Sequence, residues 1–292
     1  MKSLFLILVI FTITVHAFRD QYNCFFDISD EDDLTCEKLF GVDSCSDCQK
    51  LIFKDFKEEN DCSTTFNFIK EVTKEVKESG KSKEEIDPYD LTYFKKGLEN
   101  YCDQPFNCDP HTVKKYWTEI EDVCSKELSE KVDWSSDPTK IDVTELLVYS
   151  TLLNYYFGIP ANHALCYKPS NSDDFCVVGI TENLMEYAKE VTDSDPKPKF
   201  TIDFKYIIKS DGSKVPVPKK VFCDEKCFES MAKIYKSWIK KYKLDSEVFE
   251  NIYGSEEGFN DYLDCKTEDK RDVFRRTSDS YLSPLHSLAG LF

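Results

Sequence analysis

The chain has 292 residues, with 38 basic and 55 acidic side chains and a formal net charge of −17. That balance argues against a broad basic face for nucleic acid or an anionic membrane. Twenty-two Phe, 16 Tyr and 3 Trp supply enough large apolar surface for a core, which sets the chain apart from disordered acidic proteins.

The first element is a secretory leader. Met1-Lys2-Ser3 brings one positive charge, Leu4 to Val15 is apolar apart from Thr12 and Thr14, and Val15-His16-Ala17 suits a signal peptidase. Twelve residues are too few to span a bilayer, which takes about twenty. The mature chain is expected to begin at Phe18 and to be secreted and extracellular, with no transmembrane segment. Losing Lys2 leaves 275 residues with 37 basic and 55 acidic side chains, a net charge of −18. Such a length makes one large domain or two small ones.

Helical periodicity dominates the chain beyond the leader, at 46–58, 63–79, 88–101, 142–157 and 181–191, with a short pair after Ser246. The clearest helix opens on Asp109 as N-cap with Pro110 at the first position, where its missing N–H is harmless. Val113, Tyr116, Trp117, Ile120, Val123 and Cys124 make its apolar stripe. Cys124 on that stripe is expected to staple the helix to a neighbour. The stretch Leu146 to Phe157 is apolar nearly all round, which points to the centre of the core or, alternatively, to a membrane or partner surface. After Asp224 a second strong stripe runs Phe228, Met231, Ile234, Tyr235, Trp238 and Ile239, with Lys233, Lys236 and Lys240 on the outer face.

One segment changes period. Phe200, Ile202, Phe204, Tyr206 and Ile208 alternate with Thr201, Asp203 and Lys205. Asp211-Gly212 and Val215-Pro216-Val217 come next, which reads as a β-hairpin with its proline arm at an edge. The fold class is therefore mainly α, a disulfide-stapled helical bundle with one small β-hairpin near 200–217. Asp193 to Lys199 is the best linker. The organisation expected is a signal peptide at 1–17, a cysteine-rich helical domain at 18–195, a hairpin plus helical cysteine-rich region at 200–269 and a flexible tail at 270–292. The tail carries Lys270-Arg271 and Arg275-Arg276, either dibasic processing sites or a solvated charged run. It lacks the spacer of a lipid-anchor signal, although Ser278, Asp279 and Ser280 are small enough for an attachment site. No Asn-x-Ser/Thr triplet is present.

Thirteen cysteines lie beyond the leader: Cys24, Cys36, Cys45, Cys48, Cys62, Cys102, Cys108, Cys124, Cys166, Cys176, Cys223, Cys227 and Cys265. In an oxidising compartment they form a disulfide framework of six bridges with one cysteine over, either free or linking a partner as in a disulfide-bonded dimer. Cys45-x2-Cys48 also has the spacing of a redox dithiol, and with Cys223/Cys227 that of a zinc site. No βαβ pattern surrounds the first pair, and about 175 residues separate it from the second. Cys166 is expected to pair with Cys176. Cys102-x5-Cys108 and Cys223-x3-Cys227 each stand at a helix entrance, as if one device, a helix pinned at its start, were used twice.

Signals for catalysis are sparse. The mature chain holds His111, His163 and His286, with no HExxH, GxSxG or phosphate loop. His163 stands near Cys166, but a disulfide-bonded cysteine is no nucleophile. Acidic pairs for glycoside hydrolysis are too numerous to single out. The run Asp27, Ser29, Asp30, Glu31, Asp32 and Asp33 lacks the glycine and distal glutamate of a calcium loop. No catalytic, cofactor-binding or metal residues are assigned.

With the helix-start cysteine pairs, Leu165-Cys166 and Phe175-Cys176, the chain resembles a loose group of fungal secreted cysteine-rich proteins, mostly of unknown function. That resemblance implies cell-surface or extracellular residence, with an extracellular protein or cell-wall component as partner, and no known reaction. The serine-rich stalk of that group is absent. Cys45-x2-Cys48 opening a helix is also similar to saposin-like lipid-binding modules, whose late pair would be Cys102/Cys108, although Cys62 arrives too early for that pattern. A secreted non-catalytic protein is the leading expectation. A secreted hydrolase with an acidic pair and a saposin-like lipid binder are the alternatives.

Overall fold

A computed structural model describes residues 34–57, 60–81, 85–87, 89–133, 141–170, 172–193, 199–201, 205–223, 227–253, 259–260 and 263–265. Its helices are α1 (Cys36–Phe40), α2 (Asp47–Lys57), α3 (Thr64–Glu78), α4 (Thr92–Cys102), α5 (Pro110–Val123), α6 (Ser125–Ser129), α7 (Val143–Tyr156), α8 (Gly158–Leu165), α9 (Cys176–Val191), α10 (Lys220–Cys223), α11 (Phe228–Lys241) and α12 (Ser246–Tyr253). The strands are β1 (Lys199–Phe200), β2 (Tyr206–Ile208) and β3 (Lys214–Pro216).

Local chemistry sets the helix starts. Asp109 caps α5 by accepting from the His111 and Thr112 amides at 2.8 and 3.1 Å, and Asp142 caps α7 from Thr144 at 2.8 Å. Ser46 and Gln49 form a reciprocal capping box before and within α2, at 2.9 and 3.1 Å. α7 is the central helix. Ten of its residues are buried, from Leu146 to Tyr156, and α2, α3, α5, α6 and α8 pack around it. Its greasy circumference belongs to the core, and no helix among the described residues is long and apolar enough to cross a membrane.

The second half docks on the first through aromatic rings. Trp117 of α5 meets Tyr156 edge-on at 5.2 Å and Trp238 of α11 at 6.3 Å. Phe157 meets Tyr235 at 5.5 Å, and the Tyr156 hydroxyl donates to the Tyr242 carbonyl at 2.7 Å. One apolar core thus runs through residues on both sides of 193–199.

Several local expectations change. α9 starts at Cys176 rather than 181, because Val177, Val178 and Ile180 are buried and carry the helix across Gly179. α8 follows directly on α7, beyond the end of the helix predicted at 142–157. Pro160 falls in the first turn, where its missing N–H breaks no intrahelical bond. Phe200 to Ile208 is not one strand. β1 and β2 pair antiparallel, Lys199 with Ile208 and Phe200 with Ile207, so the chain reverses between them. β2 and β3 form the hairpin with Asp211-Gly212 in its loop, and Pro216 lies on the edge strand.

Six disulfides form: Cys36–Cys45, Cys48–Cys124, Cys62–Cys108, Cys102–Cys166, Cys176–Cys227 and Cys223–Cys265. Cys124 staples α5 to α2, as its stripe position predicts. Cys166 does not pair with Cys176. It ends α8, 5.5 Å Cα to Cα from Cys102 at the end of α4, while Cys176 opens α9 beside Cys227 at the start of α11. Neither short-spaced pair is bridged within itself. The pins run between helices instead, Cys62 before α3 to Cys108 before α5, and the start of α9 to the start of α11. Cys45 and Cys48 go to different partners, so they form neither a redox dithiol nor one half of a zinc site.

Candidate functional site

The residues singled out for chemistry stay apart. His111 is exposed on the first turn of α5 and His163 is exposed on α8, with Cys166 held in its bridge to Cys102. The Asp109 carboxylate accepts from the Thr112 hydroxyl at 2.6 Å. That bond and the capped amides hold it below the usual carboxylate range, as befits a helix cap. His286, Cys24, the acidic run 27–33 and both dibasic pairs lie outside the described residues. Among the described residues, no three Cys, His, Asp or Glu side chains gather in a way that would hold a metal ion.

Two buried places hold polar atoms without a hydrogen-bond partner among the described residues. The first is the start of α3. Thr64 Oγ1 donates to the Gly158 carbonyl at 2.7 Å and the Thr65 amide to Asn154 Oδ1 at 3.0 Å. A Cβ on Gly158 would stand 2.5 Å from the Cys62 carbonyl, so this approach requires glycine. Asn162 Nδ2 donates to the Tyr101 hydroxyl at 3.0 Å. Burial pushes that phenol up, against the lowering effect of its hydrogen bonds to Thr64 and Asn162. Ser63 Oγ and Asn154 Nδ2 remain unpaired in this cluster. The second place is the aromatic seam, where Tyr235 OH and Trp238 Nε1 are unpaired and burial alone raises the Tyr235 phenol. Both are the seams by which helices dock.

The surface carries a stronger signal. Of the chain's 38 basic and 55 acidic residues, 13 and 5 lie between 197 and 243, leaving 25 basic against 50 acidic elsewhere. Counting charge over the whole chain hides this reversal, and a windowed count would have found it. On α11 the basic segment becomes a stripe. Lys233 and Lys240 are exposed and Lys236 half-buried, at i, i+3 and i+7 on one face, a span of about 10 Å. None of the three pairs with a carboxylate among the described residues. Lys241 beside them lies over the Tyr242 ring at 5.0 Å.

Immediately beyond, at the turn into α12, the sign reverses. The Asp245 amide donates to Glu121 Oε1 at 2.9 Å, and the Asp245 carboxylate caps α12 from the Glu247 amide at 2.9 Å. α12 packs on α6, which brings Glu247 together with Glu130 and Glu145 within electrostatic reach of the Tyr149 phenol. That phenol is pushed up to about 12, chiefly by burial and then by those three carboxylates. Burial, followed by the charges of Asp142 and Glu130, likewise raises the Glu145 carboxyl. Like charges are therefore held together here at an electrostatic cost.

No family model matches the chain, nor does any curated protein or solved structure.

Proposed function

We propose that this is a secreted, disulfide-stapled helical protein that does no covalent chemistry and acts at the cell surface or on an extracellular partner. The observation that supports the extracellular part of this reading is the framework itself. Twelve of the thirteen cysteines are consumed in six bridges, five of which close loops of 42 to 76 residues. Such a framework persists where glutathione and thioredoxin do not reach. The leader at 1–17 gives the route, and the resemblance to fungal secreted cysteine-rich proteins gives the same destination. Cys24 is the thirteenth cysteine, and it is the one that would carry a disulfide to a partner or to a second chain.

The test is an unreduced intact mass of the protein recovered from the culture medium, with and without thiol alkylation. The expected result is the mass of Phe18 to Phe292 less twelve hydrogens with one alkylated cysteine, or a disulfide-linked dimer with none. Retention of the leader inside the cell, or several alkylated cysteines, would overturn the reading.

A further inference from the structure

We propose that the lysine stripe of α11 and the acidic patch around α6, α7 and α12 form one self-complementary surface on which a second copy of this chain docks. The stripe of each copy then lies on the acidic patch of the other. This inference rests on the folded surface and stands whether or not the chain is secreted.

The stripe is short, continued by exposed Lys241 and Lys243 and bounded beyond them by carboxylates. Lys233, Lys236 and Lys240 cover about 10 Å of helix. Exposed Glu229 precedes them by one turn, and exposed Asp245 and Glu247 come after. A long polyanion or an anionic membrane laid on the stripe would run onto those carboxylates, and over a chain whose remaining residues carry 50 acids against 25 bases. A compact acidic group fits instead. The patch of Glu130, Asp142, Glu145 and Glu247 is such a group, with Glu130, Asp142 and Glu247 exposed and mutual repulsion that nearby ammonium groups would relieve.

The helix that carries the stripe leads through a short turn into α12, whose Glu247 belongs to the acidic patch. A two-fold axis through that turn sets each patch on its opposite, which is the isologous arrangement of most dimers. Whole-molecule repulsion between two acidic copies acts over distances larger than the Debye length of about 8 Å at physiological salt, so it is largely screened there. The contact-range pairs are screened far less.

The experiment uses the full chain with Cys24→Ser, so that a covalent dimer cannot contribute, and tracks mass by sedimentation velocity in 0.15 M salt, where the Debye length is about 8 Å. The expected result is a reversible dimer whose dissociation constant rises about tenfold or more in Lys233→Glu/Lys236→Glu/Lys240→Glu and in Glu130→Lys/Glu247→Lys. An equimolar mixture of the two variants recovers the dimer, because each then offers what the other lacks, and the recovery also shows that both variants fold. A Cys24→Ser protein that stays monomeric, a dimer indifferent to both charge reversals, or a mixture that fails to associate would overturn the proposal. So would a monomer that binds heparin or phosphatidylserine vesicles through the three lysines, since the stripe would then belong to a polyanion.

Discussion

The Cys48–Cys124 and Cys36–Cys45 bridges form a matched pair for testing what the framework does. The first closes a loop of 76 residues between α2 and α5, and the second closes 9 residues between α1 and the start of α2. If a bridge acts by restricting the unfolded chain, loop closure assigns about 4.5 kcal/mol to the long bridge and about 2.6 kcal/mol to the short one. Replacing either pair by alanine also removes two buried sulfur atoms, a packing loss common to both variants that largely cancels in the comparison. Cys48→Ala/Cys124→Ala should therefore be less stable than Cys36→Ala/Cys45→Ala by about 2 kcal/mol, a gap of roughly 4 to 8 °C in Tm for a domain of this size. Urea unfolding of both variants without reductant, monitored by tryptophan fluorescence, measures the difference. Trp117 lies two turns before Cys124 on the same buried side of α5 and reports on that part of the core. Equal losses, or a larger loss for the short loop, would refute the chain-entropy argument and place the effect in native packing.

Other positions separate seams from ordinary core. Tyr235→Phe removes a buried hydroxyl without a partner among the described residues, so stability should hold or rise by up to about 1 kcal/mol. A loss of more than that in thermal unfolding would reveal a bound group at the hydroxyl. Gly97→Ala would put a Cβ 2.7 Å from Val72 Cα where α4 crosses α3, which should destabilise by about 3 kcal/mol. Gly80→Ala meets open space at φ +67° and should cost only about 1 kcal/mol. Urea titrations that rank the two the other way would contradict the close crossing. The Tyr149 hydroxyl donates to the carbonyls of Leu128 and Glu130 at 2.7 and 3.0 Å, so Tyr149→Phe should lose about 1 to 2 kcal/mol at neutral pH. Because its phenol is raised from 10.0 to about 12 in the folded state, its stabilisation is complete below pH 10 and lost as pH climbs through 12. The wild type should therefore lose stability between those values faster than Tyr149→Phe, and parallel stability curves would sink the assignment.

How much was legible in the sequence depends on which interactions are local. The Asp109-Pro110 cap, most of the stripe of α5 and the outer lysines of α11 depend on residues within one or two turns, and they stand where periodicity puts them. Val123, expected on that stripe, is instead 42% exposed at the end of the helix. The hairpin about Asp211-Gly212 and its edge proline are local for the same reason. What failed was decided at a distance. Cys166 and Cys176 are ten residues apart, yet they belong to the ends of two helices whose neighbours are α4 and α11, and no spacing encodes which helices lie together. α8 lies outside the helices that periodicity predicts, with Gly158 and Pro160 in its first turn. Their roles are a close approach to the Cys62 carbonyl and a first-turn position that needs no donor. Antiparallel pairing of β1 with β2 sets Phe200 opposite Ile207 rather than on one face with Tyr206 and Ile208. Ile207 is the fully buried residue of β2, so the period read along 200–208 gives neither the reversal nor the face. The charged surface was visible in composition but averaged away by counting the whole chain at once.

Charge and bridges also act on each other. A formal net charge of −17 makes the compact state repel itself, and unfolding ordinarily relieves that repulsion by moving charges apart. Four bridges spanning loops of 42 to 64 residues and one spanning 76 keep acidic segments near one another even after the core has opened. The oxidised unfolded chain therefore gains less electrostatic relief than the reduced one. Adding salt screens what repulsion remains, which should stabilise the reduced protein more than the oxidised protein. Tm measured at several sodium chloride concentrations, with and without a thiol reductant, should give the steeper rise for the reduced chain. Equal slopes would mean that the acidic residues are far enough apart in the folded state for their repulsion not to matter, and the bridges would then act through chain entropy alone.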